Sequence, residues 1–313
     1  MMLNRTIHMI RILCIILAVL SLVLFTVVYV DYSSKSVIRG PQVTMDTDTI
    51  TISIKDGSDA VLQGIQAVDA QGNDVSSLMI VESYGRFASD GSRMVRIAAF
   101  DRQGNVSKIS RTIYYSDYVP PRVSLRGPLC AVSNSKRNLL EQIQVFDSLE
   151  GDISSDVTLS YIGGTSIPTE GEFQVLLQVS NSAGDSLEMP LTVEYYNAAQ
   201  ERTRPKIGLT DYLIYVRSGQ KVQPEDYLDN LTLDGRHYYF DAENQAFVQE
   251  GNTYQQAINS IESGLILPLS QLQIAAPGVY RDPGVYEITY RCASAAGVIG
   301  TVRLVIVVEN SGG

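Results

Sequence analysis

Few side chains here could do acid–base, nucleophilic or metal chemistry. The chain has two histidines, His8 and His237, and three cysteines, Cys14, Cys130 and Cys292. A Ser–His–Asp arrangement could draw only on His237, because His8 precedes a long apolar segment. His237 sits in a strand-like RHYYF run with no nucleophile elbow around it. One histidine and two distant cysteines cannot make a tetrahedral zinc site. No C-x-x-C pair occurs, and the YIGGTS stretch from Tyr161 lacks the lysine and helix of a phosphate-binding loop. No catalytic, cofactor or metal residue is therefore assigned, and an enzyme is not expected. Two groups of side chains remain. Acidic residues gather near strand ends: Asp69 and Asp74, then Asp147, Glu150, Asp152 and Asp156. His237, Tyr238, Tyr239, Phe240, Phe247 and Tyr254 form the best candidate binding surface, although strand alternation buries about half of such a run.

The elements that must position these groups start with a membrane segment. Ile12 to Val30 is 19 residues without a charge, about 28 Å as a helix, which matches a bilayer core. Arg5 and Arg11 precede it, and every Asp and Glu follows it, so the N-terminus is expected in the cytoplasm and the bulk outside. The segment is longer than a signal-peptide core and has no A-x-A site after it, so an uncleaved signal-anchor is expected. The whole chain of 313 residues carries a net charge of −10, and only two of its 24 basic side chains lie before the segment. So acidic an exported part disfavours nucleic acid as a partner. The 18 tyrosines, no tryptophan and frequent Thr, Val, Ile and Ser favour strands. Cysteine-poor exported chains are associated with Gram-positive bacteria.

Self-similarity organises the rest. GSRMVRIAAFDRQGN from Gly91, GEFQVLLQVSNSAGD from Gly171 and GVYEITYRCASAAGV from Gly284 align on two glycines 13 residues apart. Alternation puts Phe173, Val175, Leu177 and Val179 of the second copy on one buried face, and Tyr286, Ile288, Tyr290 and Cys292 of the third. The second glycines, Gly104, Gly184 and Gly297, read as hairpin turns, with Asp101, Asn181 and Ser294 placed to hold them. An upstream pair, IQAVDAQGND from Ile65 and IQVFDSLEGD from Ile143, repeats at an offset of 78, and Pro121 and Pro205 open first strands. Gly284 follows Gly171 by 113 residues, against 80 between Gly91 and Gly171. The excess falls at about 234–264, read as an added hairpin and a short helix with Asn252 as N-cap and Gly264 as its stop.

These hairpins, the acidic upstream segment and the proline-opened strand resemble the bacterial immunoglobulin-like (cadherin-like, crystal-toxin Ig-like) surface-protein repeats. Arg93, where an aromatic is usual, and Val298, after the third turn glycine, depart from the pattern. The resemblance implies an all-β chain of tandem immunoglobulin-like β-sandwiches behind one transmembrane α-helix. The segments are a cytoplasmic stub (1–11), the span (12–30), a linker (31–40) and repeats at 41–118, 119–198 and 199–313. Stacked end to end, such sandwiches would reach on the order of 100 Å from the membrane. Cadherin-like modules also suggest calcium at Asp147, Glu150, Asp152 and Asp156. Calcium needs six to eight oxygens, so turn-forming carboxylates are the expected role. The expected function is a non-catalytic cell-surface spacer or adhesion module with a protein or glycan partner. The alternative is a membrane-anchored accessory subunit of an envelope assembly or export complex.

Overall fold

The structure, a computed structural model, describes residues 2–35, 40–133, 139–163 and 169–309, with side chains from Ile12 to Val30 and from Gly40 onward. Part of the YIGGTS stretch, part of the expected linker and the last four residues lie outside them. Helix α1 runs Met2–Lys35, well past both ends of the apolar segment. No Gly or Pro occurs before Gly40, so nothing in the sequence stops it sooner. From Met2 on, the stub and the first half of the expected linker are thus helical. Its apolar side chains from Ile12 to Val30 are exposed, and by length and composition it is the one described helix able to cross a membrane. Beyond α1 the regular structure of the described residues is mostly β-strand, and the chain divides into two compact units, one ending at Asp117 and one starting at Tyr118.

The first unit contains one sandwich. Strands β1 (Gln42–Met45) and β3 (Ile65–Val68) pair antiparallel in one sheet. The other sheet has the order β2-β6-β5-β4, with β2 (Thr49–Ile52), β4 (Met79–Phe87), β5 (Arg93–Phe100) and β6 (Val106–Tyr115). The chain switches sheets between β1 and β2, and β2 lies parallel to β6. A five-residue helix, α2 (Ser58–Leu62), bridges the sheets and contributes Val61 to the core. Ile65, Ala67, Val95, Ile97, Ala99 and Ile113 face inward from both sheets, as alternation requires. Arg93 is half-buried with its guanidinium 5.4, 5.2 and 6.0 Å from the ring centres of Tyr84, Phe87 and Tyr115. A cation among aromatic faces therefore replaces the aromatic cluster that Phe173 builds with Tyr161 and Tyr195 in the next repeat.

The second unit holds two sandwiches of the same topology. In the first, β7 (Arg122–Leu125), β9 (Ile143–Asp147) and β10 (Gly151–Asp152) form one sheet. The other has the order β8-β13-β12-β11, with β8 (Cys130–Val132), β11 (Thr158–Tyr161), β12 (Gly171–Ser180) and β13 (Ser186–Tyr196), and β8 parallel to β13. In the next, β15 (Leu213–Arg217) lies parallel to β22 (Ile299–Glu309), beside β21 (Gly284–Ala293) and β20 (Gln273–Ala275). Its other sheet has five strands, in the order β14 (Lys206–Leu209), β16 (Leu228–Leu233), β17 (Arg236–Asp241), β18 (Ala246–Gln249) and β19 (Ile266–Pro268). The three turn glycines have φ of 84°, 85° and 77°. Asp101, Asn181 and Ser294 each accept a backbone N–H across their turn.

Candidate functional site

The aromatic run and its surroundings form three strands and a helix that extend a sheet. A two-residue turn at Asp234 and Gly235, both with positive φ, joins β16 to β17. Alternation along β17 then sends neighbours to opposite faces. Tyr238 is buried and Phe240 half-buried in the main core, where Phe247 is completely buried. Tyr239 packs on the other face with Val248, Ala257, Leu265 and Tyr254. The cover on that face is helix α3 (Tyr254–Ile258), which brings Ala257 down onto the sheet. Both hydroxyls of the tyrosine pair are used inside the fold. Tyr238 donates to Gly264 O at 3.0 Å and Tyr239 to Asn252 O at 3.1 Å. Of the six candidates only His237 is fully on the surface, and its Nδ1 lies 3.0 Å from the Thr232 hydroxyl. The rings are therefore a two-sided core, not an open aromatic platform. The helix cap also differs from expectation. Thr253, not Asn252, is the N-cap, because Thr253 and Gln256 make a reciprocal capping box.

The acidic residues serve turns. Asp147 is completely buried and accepts from Leu149 N–H at 2.8 Å, Glu150 N–H at 3.0 Å and the Asn181 amide at 3.0 Å. Tyr118, from the segment entering this repeat, donates to Asp185 at 2.8 Å and receives the Asn181 amide at 3.0 Å. Burial and the Asp185 carboxylate push its phenol well above the usual value. Glu150 accepts from the Ser182 N–H and hydroxyl, so it ties one turn to the next. Asp152 accepts from Ser154, which holds its carboxyl below the ordinary range. Asp156 is exposed on a short helical turn. Among the described residues, no three His, Cys, Asp or Glu side chains are placed to hold a metal ion.

Sequence reasoning missed a contact between the two sandwiches of the second unit. Leu213, Tyr215, Val285, Val305 and Val307, on the outer face of the last sheet, pack into the core cluster of the preceding sandwich. Polar groups seal the seam. Glu287 accepts from Thr192 N–H at 3.0 Å and from the Thr192 hydroxyl at 2.8 Å. Arg303 bridges Glu287 and Glu172. Arg204, in the connecting segment, makes a bidentate pair with Glu194 at 2.9 and 2.8 Å and donates to Thr301 O at 3.3 Å. Its guanidinium also lies 4.4 Å from the ring centre of Tyr196. Burial lowers the Arg204 pKa, but the Glu194 hydrogen bonds and charge outweigh that and hold it above its usual value. A cleft of about 280 Å³ opens beside this contact, lined by Cys130, Tyr196, Glu201, Arg204, Lys206 and Tyr212. Its charged groups are largely satisfied within the fold, since Glu201 takes the Tyr196 hydroxyl at 2.6 Å and lies 3.5 Å from Lys206. The signal for the contact was present in β22, where LVIVV is apolar on both faces instead of alternating.

No family model matches the chain. A stretch of 200 residues, 64% of the chain, is 22% identical to an uncharacterized 81.3 kDa protein of Acholeplasma phage L2, and the match spans 22% of that protein. Among solved structures, CBM51-2 and INT domains of Clostridium perfringens ZmpB match at 14% identity and a TM-score of 0.20, covering 48% of this chain and 26% of that one. The cadherin domains 1–5 of protocadherin gamma B2 match at 12% and 0.16, covering 88% and 61%. The human desmocollin-1 ectodomain matches at 9% and 0.18, covering 86% and 62%. These neighbours are cadherin-like and CBM51 proteins, and likenesses this loose carry no argument about ligand or family.

Proposed function

We propose that this chain is a single-pass membrane protein whose three immunoglobulin-like sandwiches stand outside the cell as a non-catalytic spacer and interaction module. One observation carries the reading: the same sheet-switching sandwich occurs three times behind a 19-residue apolar stretch of exposed helix. Several of the candidate side chains go into that scaffold. Asp147 holds turns, and Tyr238 and Phe247 fill a core. The partner is a protein or glycan at the cell surface. The test has two parts. Alkaline carbonate should leave the full-length protein in the membrane pellet, and protease added to intact protoplasts should digest its bulk. Release by carbonate, or a mature N-terminus near Ser33, would replace the anchor with a cleaved signal.

A further inference from the structure

Each repeat pairs its sheet-switching strand with its last strand in parallel. The ladders run over four residue pairs for β2 and β6, three for β8 and β13, and five for β15 and β22. The chain enters each repeat ahead of the first of these strands and leaves after the second. In a parallel pair those two points lie at opposite ends of the ladder. Tension between the chain ends therefore slides the strands past each other and loads all the ladder's hydrogen bonds together. Tension applied at matching ends would open the same bonds one at a time.

Further bonds reinforce the ladder ends. Thr112 N–H donates to Asp48 O at 2.8 Å and Ser116 N–H to Ile52 O at 2.9 Å. Asp117, directly after β6, accepts from the Ser53 hydroxyl at 2.7 Å and Ile54 N–H at 2.8 Å, so the connection continues past the ladder. In the middle repeat, Glu194 N–H donates to Leu129 O and Ser133 N–H to Tyr196 O. Arg204 pins the exit of that repeat to Glu194. In the last repeat Val305 N–H donates to Tyr212 O at 2.9 Å.

We propose that the chain is a load-bearing tether, each repeat resisting tension by shear of its parallel first-to-last ladder. Only the point where load enters the chain, at α1, rests on the membrane-anchor reading. The shear geometry stands without it and is measured without a membrane.

The test is single-molecule pulling on the full chain in detergent, with handles at its two ends. Unfolding of the last repeat is recognised by release of the residues from the start of β15 to the end of β22, about 100 residues and on the order of 350 Å of contour, alone or together with its neighbour. In a second attachment the C-terminal handle moves to Ala296→Cys, an exposed position in the turn before β22. Load then leaves the last repeat at the same end of the ladder by which it enters. The expected result is that this repeat opens roughly 100-fold faster at equal force in the second geometry, equivalent to about 2.7 kcal/mol. Equal rates in the two geometries would overturn the proposal. The first repeat, sheared in both attachments, must keep its rate, and this separates a change of load direction from damage by the substitution.

Discussion

Arg204→Ala should unlock the second unit. The guanidinium side chain is 6% exposed and its partner Glu194 13% exposed, so the substitution strands a carboxylate in a place that water barely reaches. Breaking a buried pair from one side costs about 3–5 kcal/mol. The lost bond to Thr301 O and the lost contact with the Tyr196 ring act in the same direction. A domain's whole stability is about 5–15 kcal/mol, so the loss is a large fraction of it. For a unit of this size it lowers the melting temperature by roughly 10 °C. Lys206→Ala is the internal control. Its pair with Glu201 has side chains 62% and 43% exposed, and such pairs contribute about 0–1 kcal/mol. Calorimetry of the full chain in detergent should show two transitions, one for the first repeat and one shared by the other two. Arg204→Ala should lower the shared transition and leave the first in place. Arg204→Met combined with Glu194→Leu should recover most of the loss, because apolar replacement removes both desolvation costs. If Arg204→Ala costs under about 1 kcal/mol, or the two later repeats already melt separately in the parent, the interlocked unit is wrong.

Leu177, fully buried in the middle core, should cost about 2–5 kcal/mol when cut to Ala, and the shared transition should fall while that of the first repeat stays. Gly297→Val places a β-branched residue at φ 77° and should destabilise the last repeat by about 1–3 kcal/mol, read in urea titrations of the full chain. Hydrogen bonds from Asn73 hold the Asp69 pKa below the ordinary carboxylate value. Folded pKa below unfolded pKa means stability that is complete above about pH 4 and is lost as the pH falls through the folded value. The first repeat's melting temperature should therefore drop below about pH 4, and Asp69→Asn should flatten that part of the curve.

The hairpins were legible because alternation and turn glycines are local signals. Val175, Leu177 and Val179 needed only a strand to place them inward, and Gly184 only a turn. The parallel pairing of β15 with β22 was not legible, because it joins residues about 90 apart with no local pattern to mark it. The aromatic run was only partly legible for a related reason. Tyr238 and Tyr239 both have a core to enter, but the second core exists only because α3 folds back onto the sheet. A strand covered on both faces loses the polar alternation that would have shown which rings are free. The pairing of Arg204 with Glu194 was not legible either, since burial by a neighbouring sandwich leaves no mark at either position in the sequence.

The side of the membrane on which the sandwiches lie is directly measurable. Met94 projects from the first repeat and is 59% exposed, so Met94→Cys offers a thiol to reagents on its side of the membrane. Intact cells producing this variant should be treated with a membrane-impermeant maleimide and the protein recovered from the membrane fraction. Sandwiches outside an anchored span should label without lysis, on a chain that still contains the Ile12–Val30 segment by peptide mapping. Labelling only after lysis would put the sandwiches in the cytoplasm and contradict that placement.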